Sequence, residues 1–436
     1  MGIIDPTNEV VRPTRIRYRI LIAACSVAVL TYIHRVGFAQ ALPKIQTELK
    51  FSDWQSAWLT GVFLLAYGGF EIPAGLLGDR LGVRHLLTLL VLGWSVVTGC
   101  VALAVNLPNI WILPFIYLLV MRFVFGMFQA GGFPSLARMM ADWMPMQERA
   151  SAQGAIWMST RAGGMIIPGF FFWLVMVFGD WKTPLWLLAG LGVLWCAAFW
   201  PWFRNRPEDN PHVNEAERAL IVAGRAPRST GHGNVPWAKI IRNRSVWALS
   251  LAYGFGGFAA NFYVTLLPSF LARHRELPEL TTSVLSSLPF ACGMFACIGG
   301  GLVSDWFIRR TGNRKWGRRL PGAVGTALGG IGWLCIDQAH EPWILGFVLC
   351  FIFICNDVGM GPAWASCADI GERYAGTLGG AMNMIGNLFG FTGNIVAGYF
   401  MEIKSLDKLF IVYACSFWMA TLCWQFVDVT KPVEES

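Results

Sequence analysis

Twelve stretches of this sequence run mainly apolar for the roughly 20 residues that a helix needs to cross a bilayer. They fall at about 17–40, 54–77, 84–105, 110–137, 150–178, 182–203, 244–272, 281–307, 320–337, 342–367, 375–402 and 407–427. In lipid every backbone N–H and C=O must be satisfied within the segment, so each stretch is expected to be a helix. Charge is scarce to match: 14% of residues are Asp, Glu, Lys or Arg, against about 25% in soluble domains. The 21 Trp and 48 Gly fit the same reading, since membrane helices tolerate Gly and place Trp at their interfaces.

The net charge of +8 has two possible meanings, a nucleic-acid patch or basic cytoplasmic loops. Its distribution favours loops. With both termini inside, 24 of the 34 Lys and Arg lie in cytoplasmic segments, 7 in outer loops and 3 within helices. Arg204 to Arg244 supply eight of them, and Arg309, Arg310, Arg314, Lys315, Arg318 and Arg319 six more. That asymmetry is the positive-inside pattern of a multi-pass protein of the cell (inner) membrane, and no nucleic-acid partner is expected. The polar start, Met1 to Arg19, has no small-residue cleavage site after a short apolar core, so no cleaved signal peptide is expected. The eleven cysteines sit in apolar runs, as at Cys25, Cys100, Cys196, Cys292 and Cys423, without zinc or redox spacing. They read as small hydrophobes, and no cofactor or metal is expected.

The longest polar stretch divides the chain into six plus six spans. The expected units are 1–203, a linker loop at 204–243, and 244–436. The halves echo each other. Gly75-Leu-Leu-Gly-Asp79-Arg80-Leu-Gly82-Val-Arg84 corresponds to Gly301-Leu-Val-Ser-Asp305-Trp-Phe-Ile-Arg309-Arg310, with the aspartates 226 residues apart. Glu148-Arg149-Ala-Ser-Ala-Gln-Gly154 corresponds to Glu372-Arg373-Tyr-Ala-Gly-Thr-Leu-Gly379, with the glutamates 224 apart. Two motifs repeating at nearly one offset argue for duplication of a six-helix unit. Such repeats mark secondary transporters, whose substrate sits at the repeat interface near mid-membrane.

The Asp79 loop resembles the signature between helices two and three of the major facilitator superfamily, and the resemblance covers essentially the whole chain. It implies an all-α membrane protein of twelve transmembrane helices in two pseudo-symmetric six-helix bundles. Within that superfamily the chain is most similar to the anion:cation symporters, the group of hexuronate, galactonate and glucarate transporters. The closer match lies in Tyr32-Ile-His-Arg35, Phe70-Glu-Ile-Pro-Ala-Gly75, Arg122 to Pro134, Trp143-Met-Pro-Met-Gln-Glu148-Arg149, Ala375-Gly376-Thr377, Asn383 and Gly386-Asn387.

Ionised side chains at membrane depth cost roughly 2.5–3.5 kcal/mol each, so their positions point to function. Arg35, Arg122 and Arg161 lie within spans one, four and five, and Glu71 and Asp357 within spans two and ten. Spans three, six, nine and twelve carry essentially none along their middles, as expected of lipid-facing helices. A guanidinium fork matches a carboxylate bidentately. Internal pairing with Glu71 and Asp357 is the structural alternative, and it leaves one positive charge over. The resemblance implies that Arg35 and Arg122 are substrate-site arginines. Arg161 stands where the family often has a neutral residue such as Gln.

Tyr32, Tyr67, Gln129, Asn383 and Asn387 complete the expected binding set, with packing or interhelical hydrogen bonding as their alternative roles. The resemblance implies proton carriers at two positions that here hold His34 and Gln129. His34, Glu71 and Asp357 are therefore the candidates for coupling. Asp79, Arg84, Glu148, Arg149, Asp305, Arg309, Glu372 and Arg373 are expected to gate, pairing across helix ends as the halves rock.

No phosphate-binding loop, metal-spaced cluster or nucleophile–base set is present, so no enzyme is expected. The leading expectation is a monomeric secondary transporter of a small organic anion, a sugar acid or other carboxylate, by alternating access and coupled to a proton or other cation. An organic anion or organophosphate exchanger and a transporter-like membrane sensor are the alternatives. The topology has a direct test. A cysteine placed at Arg225, in the polar linker, is expected to resist a membrane-impermeant thiol reagent in intact cells and to react once the membrane is opened. Ready labelling in intact cells would contradict the orientation.

Overall fold

The computed structural model describes residues 12–106, 113–145, 148–222, 237–371, 374–431 and 433, without the side chains of Leu76, Gly78, Asp79, Arg80 and Ala150. The described residues form helices and connecting turns, with no strand. Six long helices come first: α1 (Ile16–Leu49), α2 (Asp53–Gly75), α3 (Leu81–Asn106), α4 (Leu113–Trp143, broken at Gly131), α5 (Arg149–Phe178) and α6 (Lys182–Trp202). Six more follow: α7 (Arg244–Thr265, bent by 59° into Leu267–His274), α8 (Glu279–Thr311), α9 (Arg314–Cys335), α10 (Pro342–Gly371), α11 (Ala375–Glu402) and α12 (Leu406–Trp424). Among the described residues nine helices are long and apolar enough to cross a membrane, and the bent α7 makes a tenth. The other two, α9 and α11, are diluted by the basic first turn Arg314–Arg319 and by Asn383, Asn387 and Asn394.

Several helices outrun their apolar stretches. The first runs on to Leu49, where Lys50 turns left-handed at φ 54°, and α9 begins at Arg314, where Asn313 caps Trp316. A helical hydrogen-bond ladder has no reason to stop where the apolar run ends, and long basic side chains reach water from within the last turn. Ser52 and Gln55 form a reciprocal capping box that starts α2. The turn from α2 to α3 passes through Gly82 at φ 74°, a conformation that a side chain strongly disfavours. A Cβ at Gly82 would also lie 2.7 Å from Asn205 Nδ2. Asn205 Oδ1 accepts from the Arg84 backbone N–H at 2.9 Å, which ties the turn to the end of α6.

Buried apolar side chains form three clusters, and their layout sets the shape of the molecule. One lies in the first six helices toward the end bearing the termini, around Trp94, Trp143 and Phe203. A second lies in the last six at the same end, around Leu249, Met382 and Val427. The third, at the opposite end, is continuous across both halves and joins Phe38, Phe51 and Leu188 to Phe262, Phe290 and Trp333. The halves thus share a core at one end and keep separate cores at the other. Exposed large apolar side chains on α3, α6, α9 and α12, such as Leu89, Leu194, Ile331 and Leu422, fit a lipid surround.

Polar contacts reinforce the joined end. Asp53 of α2 receives Arg273 Nη1 at 3.0 Å and His274 Nε2 at 3.1 Å, both from the bent tail of α7. Lys44 reaches Glu279 at 2.6 Å, and Asn394 Nδ2 donates to Thr60 Oγ1 at 3.2 Å. At the terminal end the described gating candidates stay within their own halves. Glu148 pairs with Arg17, and Arg149 donates to the Met144 and Ala141 carbonyls. Arg84 donates to the Trp200 carbonyl and stacks on its ring. Asp305 pairs with Arg318, which also holds Asp369, rather than with Arg309. The Asp79 side chain, Glu372 and Arg373 lie outside the described residues.

The linker is not all loop. Its short helix Glu215–Val222 buries Ile221 against the first half. Glu217 is fully buried and accepts from the Ile16 and Arg17 backbone N–H groups, from Arg17 Nη1 and from Thr14 Oγ1. It satisfies donors that open α1 and pairs a buried arginine. Glu217→Ala is expected to lower stability by about 3 kcal/mol, the low end for breaking a buried charge pair. The measurement is the thermal melting point of the purified protein in detergent, and an unchanged melting point would contradict this role.

Candidate functional site

Where the two terminal-end cores part, a chamber of about 140 Å³ remains at mid-depth. Polar groups reach its wall from several helices. Helix α1 presents Tyr32 and Arg35, α2 presents Tyr67, α5 presents Arg161, α10 presents Asn356 and Asp357, and α11 presents Asn383 and Asn387. Tyr32 and Arg35, three apart, share a helix face.

Arg35 is held without an acid. Its Nε donates to Gln129 Oε1 at 2.5 Å, and Gln129 is anchored in turn by its Nε2 on the Thr31 carbonyl at 3.2 Å. The guanidinium lies 4.5 Å from the centre of the Tyr67 ring and 5.2 Å from that of Phe63. Its Nη2 is buried and has no hydrogen-bond partner. Gln129 is fully buried and positions Arg35 from behind rather than lining the chamber. Arg122 stands behind the lining as well. Its guanidinium is packed among Phe38, Phe63 and Phe125 at 4.0–4.9 Å, with one long bond of 3.4 Å to the Leu59 carbonyl.

Arg161 and Asp357 form a bidentate pair across the halves, Nε to Oδ2 at 2.7 Å and Nη2 to Oδ1 at 2.9 Å. Asp357 is fully buried and Arg161 nearly so. Asn356 Nδ2 and Cys297 Sγ also donate to the Asp357 carboxylate, and the Tyr32 hydroxyl oxygen accepts from Arg161 Nη1. The pair sits where α10 is interrupted between Asp357 and Met360. That interruption can pack only because α8 has glycine opposite. A Cβ on Gly300 would lie 2.0 Å from the Val358 carbonyl oxygen.

Glu71 accepts from Asn383 Nδ2 at 2.7 Å, a second contact across the halves. Asn387 donates back to the Asn383 carbonyl. His34 lies away from the other candidates: its Nδ1 meets the Leu30 carbonyl at 2.8 Å and its ring lies beside Gly192 of α6. It follows Ile33 and precedes Arg35 in sequence, yet one residue is about 100° of helix. Sequence reasoning missed three groups. Tyr253 and Asn261 of α7 line the chamber, and so does Trp157 of α5. A polar residue within the α7 apolar run was the available signal.

The comparisons agree with this architecture. A sequence profile of the Major Facilitator Superfamily matches residues 24–394. The chain belongs to that superfamily. Among similar proteins is a probable sulfoacetate transporter of Cupriavidus necator, 27% identical over 96% of this chain and 95% of that one. A probable galactarate/D-glucarate transporter of Escherichia coli is 26% identical over 98% and 97%. A hexuronate transporter of Bacillus subtilis is 25% identical over 86% and 85%. A solved bacterial homologue of the human lysosomal transporter Spinster, in an inward-facing and occupied conformation, shares the fold, with a TM-score of 0.71 and 17% identity over 94% and 96%.

The Arg161–Asp357 pair makes a clear stability prediction. Asp357→Asn leaves a buried arginine uncompensated and is expected to cost about 3–5 kcal/mol. The double variant Arg161→Gln/Asp357→Asn removes both charges and is expected to regain most of that loss. Thermal melting of the three proteins measures it; additive losses would contradict a coupled pair.

Proposed function

We propose that this protein carries a small organic anion, a sugar acid or other carboxylate, across the membrane by alternating access. The observation that carries the proposal is Arg35, a guanidinium in the chamber wall with its Nη2 unpartnered. A half-buried cation at membrane depth whose side-chain hydrogen bond goes to a neutral amide is costly, and a carboxylate supplies both the charge and the fork geometry. The relatives support it, being named for sulfoacetate, for galactarate and D-glucarate, and for hexuronate, all small anions. Asn383, Asn387 and Tyr67 stand on the chamber wall to meet hydroxyl or carboxylate oxygens.

Movement follows from the divided cores. Units 1–203 and 244–436, joined by 204–243, rock about the shared core. The contacts of Asp53 with Arg273 and His274 then open as the terminal ends close. The basic terminal end faces the cytoplasm. Gradients rather than nucleotide hydrolysis drive the cycle.

The test is counterflow in proteoliposomes preloaded with D-glucarate or with sulfoacetate. Uptake of the matching labelled anion is expected, and the neutral polyol galactitol is expected not to compete. Arg35→Gln is expected to weaken apparent affinity on the order of 30-fold or more, as removing one partner of a buried charge contact does. Parent-like affinity in that variant would contradict the assignment.

A further inference from the structure

Resting on this transport reading, we infer that Gln40, Ser56, Ser269 and Ser286 form the polar wall of the outer passage, along which the anion travels to Arg35 when the shared core parts.

Each of these side chains is at most 9% exposed. Each leaves a buried polar atom without a hydrogen-bond partner, Nε2 in Gln40 and the hydroxyl oxygen in the three serines. All four lie along the seam where the halves join away from the termini. Gln40 of α1 stands one turn before Lys44, which reaches Glu279 of α8. It also lines a cavity of about 450 Å³ that α1 and α5 share with Pro268 of the α7 tail and Ser283 of α8. Ser56 of α2 lies between Asp53 and Thr60, which meet Arg273, His274 and Asn394 of the other half. Ser269 is four residues before Arg273 on the α7 tail. Ser286 of α8 is one turn before Phe290, whose ring lies 6.4 Å from that of Tyr32 and closes on Gly164 of α5. Residues three or four apart share a helix face, so these faces look across the seam.

The four also obey the internal repeat. Gln40 and Ser269 are 229 residues apart, and Ser56 and Ser286 are 230 apart. The duplicated Asp and Glu motifs repeat at 226 and 224. Each half thus gives the seam one polar group from its first helix and one from its second.

A joint that stayed shut would gain by having apolar residues at these places. An amide or hydroxyl enclosed without a partner is costly, and an apolar group of similar shape removes that cost. The cost disappears if the seam opens and water or an anion's oxygens reach the same atoms. The four groups therefore weaken the shut outer end selectively. They offset the apolar and aromatic packing around them, so that the shared core can part within the cycle. Once apart, one amide N–H donor and three hydroxyls face the incoming carboxylate and hydroxyl oxygens.

The experiment is thiol labelling of intact cells that express the full-length chain carrying Ser269→Cys or Ser286→Cys, with the cysteine at Arg225 as the orientation control. A membrane-impermeant maleimide is expected to label both variants from outside, above the background of the parent and its eleven cysteines. Adding Gln40→Met, Ser56→Ala and Ser286→Ala to Ser269→Cys is expected to slow that labelling on the order of fivefold or more, because the shut state no longer carries the uncompensated groups. The same three substitutions in the parent are expected to raise the melting point of the purified protein and to slow D-glucarate uptake. A purely structural role predicts the reverse, a lowered melting point with labelling unchanged, and that result overturns the inference. Absence of outside labelling in both cysteine variants, in a parent that shows counterflow, overturns it while leaving the transport reading intact. No counterflow by the parent with either D-glucarate or sulfoacetate overturns both.

Discussion

Much of this molecule follows from the difficulty of keeping charge in a medium that cannot solvate it. Arg161 and Asp357 meet at mid-depth, from different halves, in a bidentate contact with both partners buried. Neither residue is tolerable there alone, since an unpaired buried ion costs several kcal/mol. The pair therefore fixes the meeting of α5 with α10, and with it the width of the chamber. The interruption of α10 and the bare backbone of α8 at Gly300 are the local concessions that let Asp357 reach its partner.

The apolar cores give the same arrangement a direction. One continuous cluster at the end away from the termini binds the halves together, with Asp53, Arg273 and His274 as a polar clasp over it. At the terminal end each half closes its own core, and the described acidic and basic side chains pair within their halves. Association of helices in lipid depends on close packing and interhelical hydrogen bonds. A joint that is apolar and aromatic at one end and divided at the other is suited to pivoting. The clasp residues are few, so exchanging one end for the other breaks few strong contacts.

The fold was legible in the sequence because lipid leaves the backbone little choice. Apolar runs, the duplicated Asp79 and Asp305 motifs and the basic linker carried the helices and the superfamily. The chamber was only partly legible. Arg35, Arg161, Tyr32, Tyr67, Asn383 and Asn387 do line it. Arg122 and Gln129 share a face with one another but stand behind it, screened by Phe38 and Phe63 in the first case. His34 turned the other way, toward α6, because adjacent helix positions diverge. No pattern in the chain shows which side of a helix meets which neighbour when charges are this sparse. The clasp was missed for a related reason. Its residues sit at helix ends, where Asp, Arg and His are ordinary, and only the 59° bend of α7 brings Arg273 and His274 over Asp53.

The central claim is that the free guanidinium edge of Arg35 is an anion seat. The most direct measurement is a structure of the protein with sulfoacetate bound, whose sulfur marks the ligand in an anomalous map. The account predicts an anion oxygen within about 3 Å of the Arg35 guanidinium, inside the chamber bounded by Tyr32, Tyr67 and Asn383. Ligand density elsewhere in the molecule, with Arg35 still bonded to Gln129 alone, would contradict it.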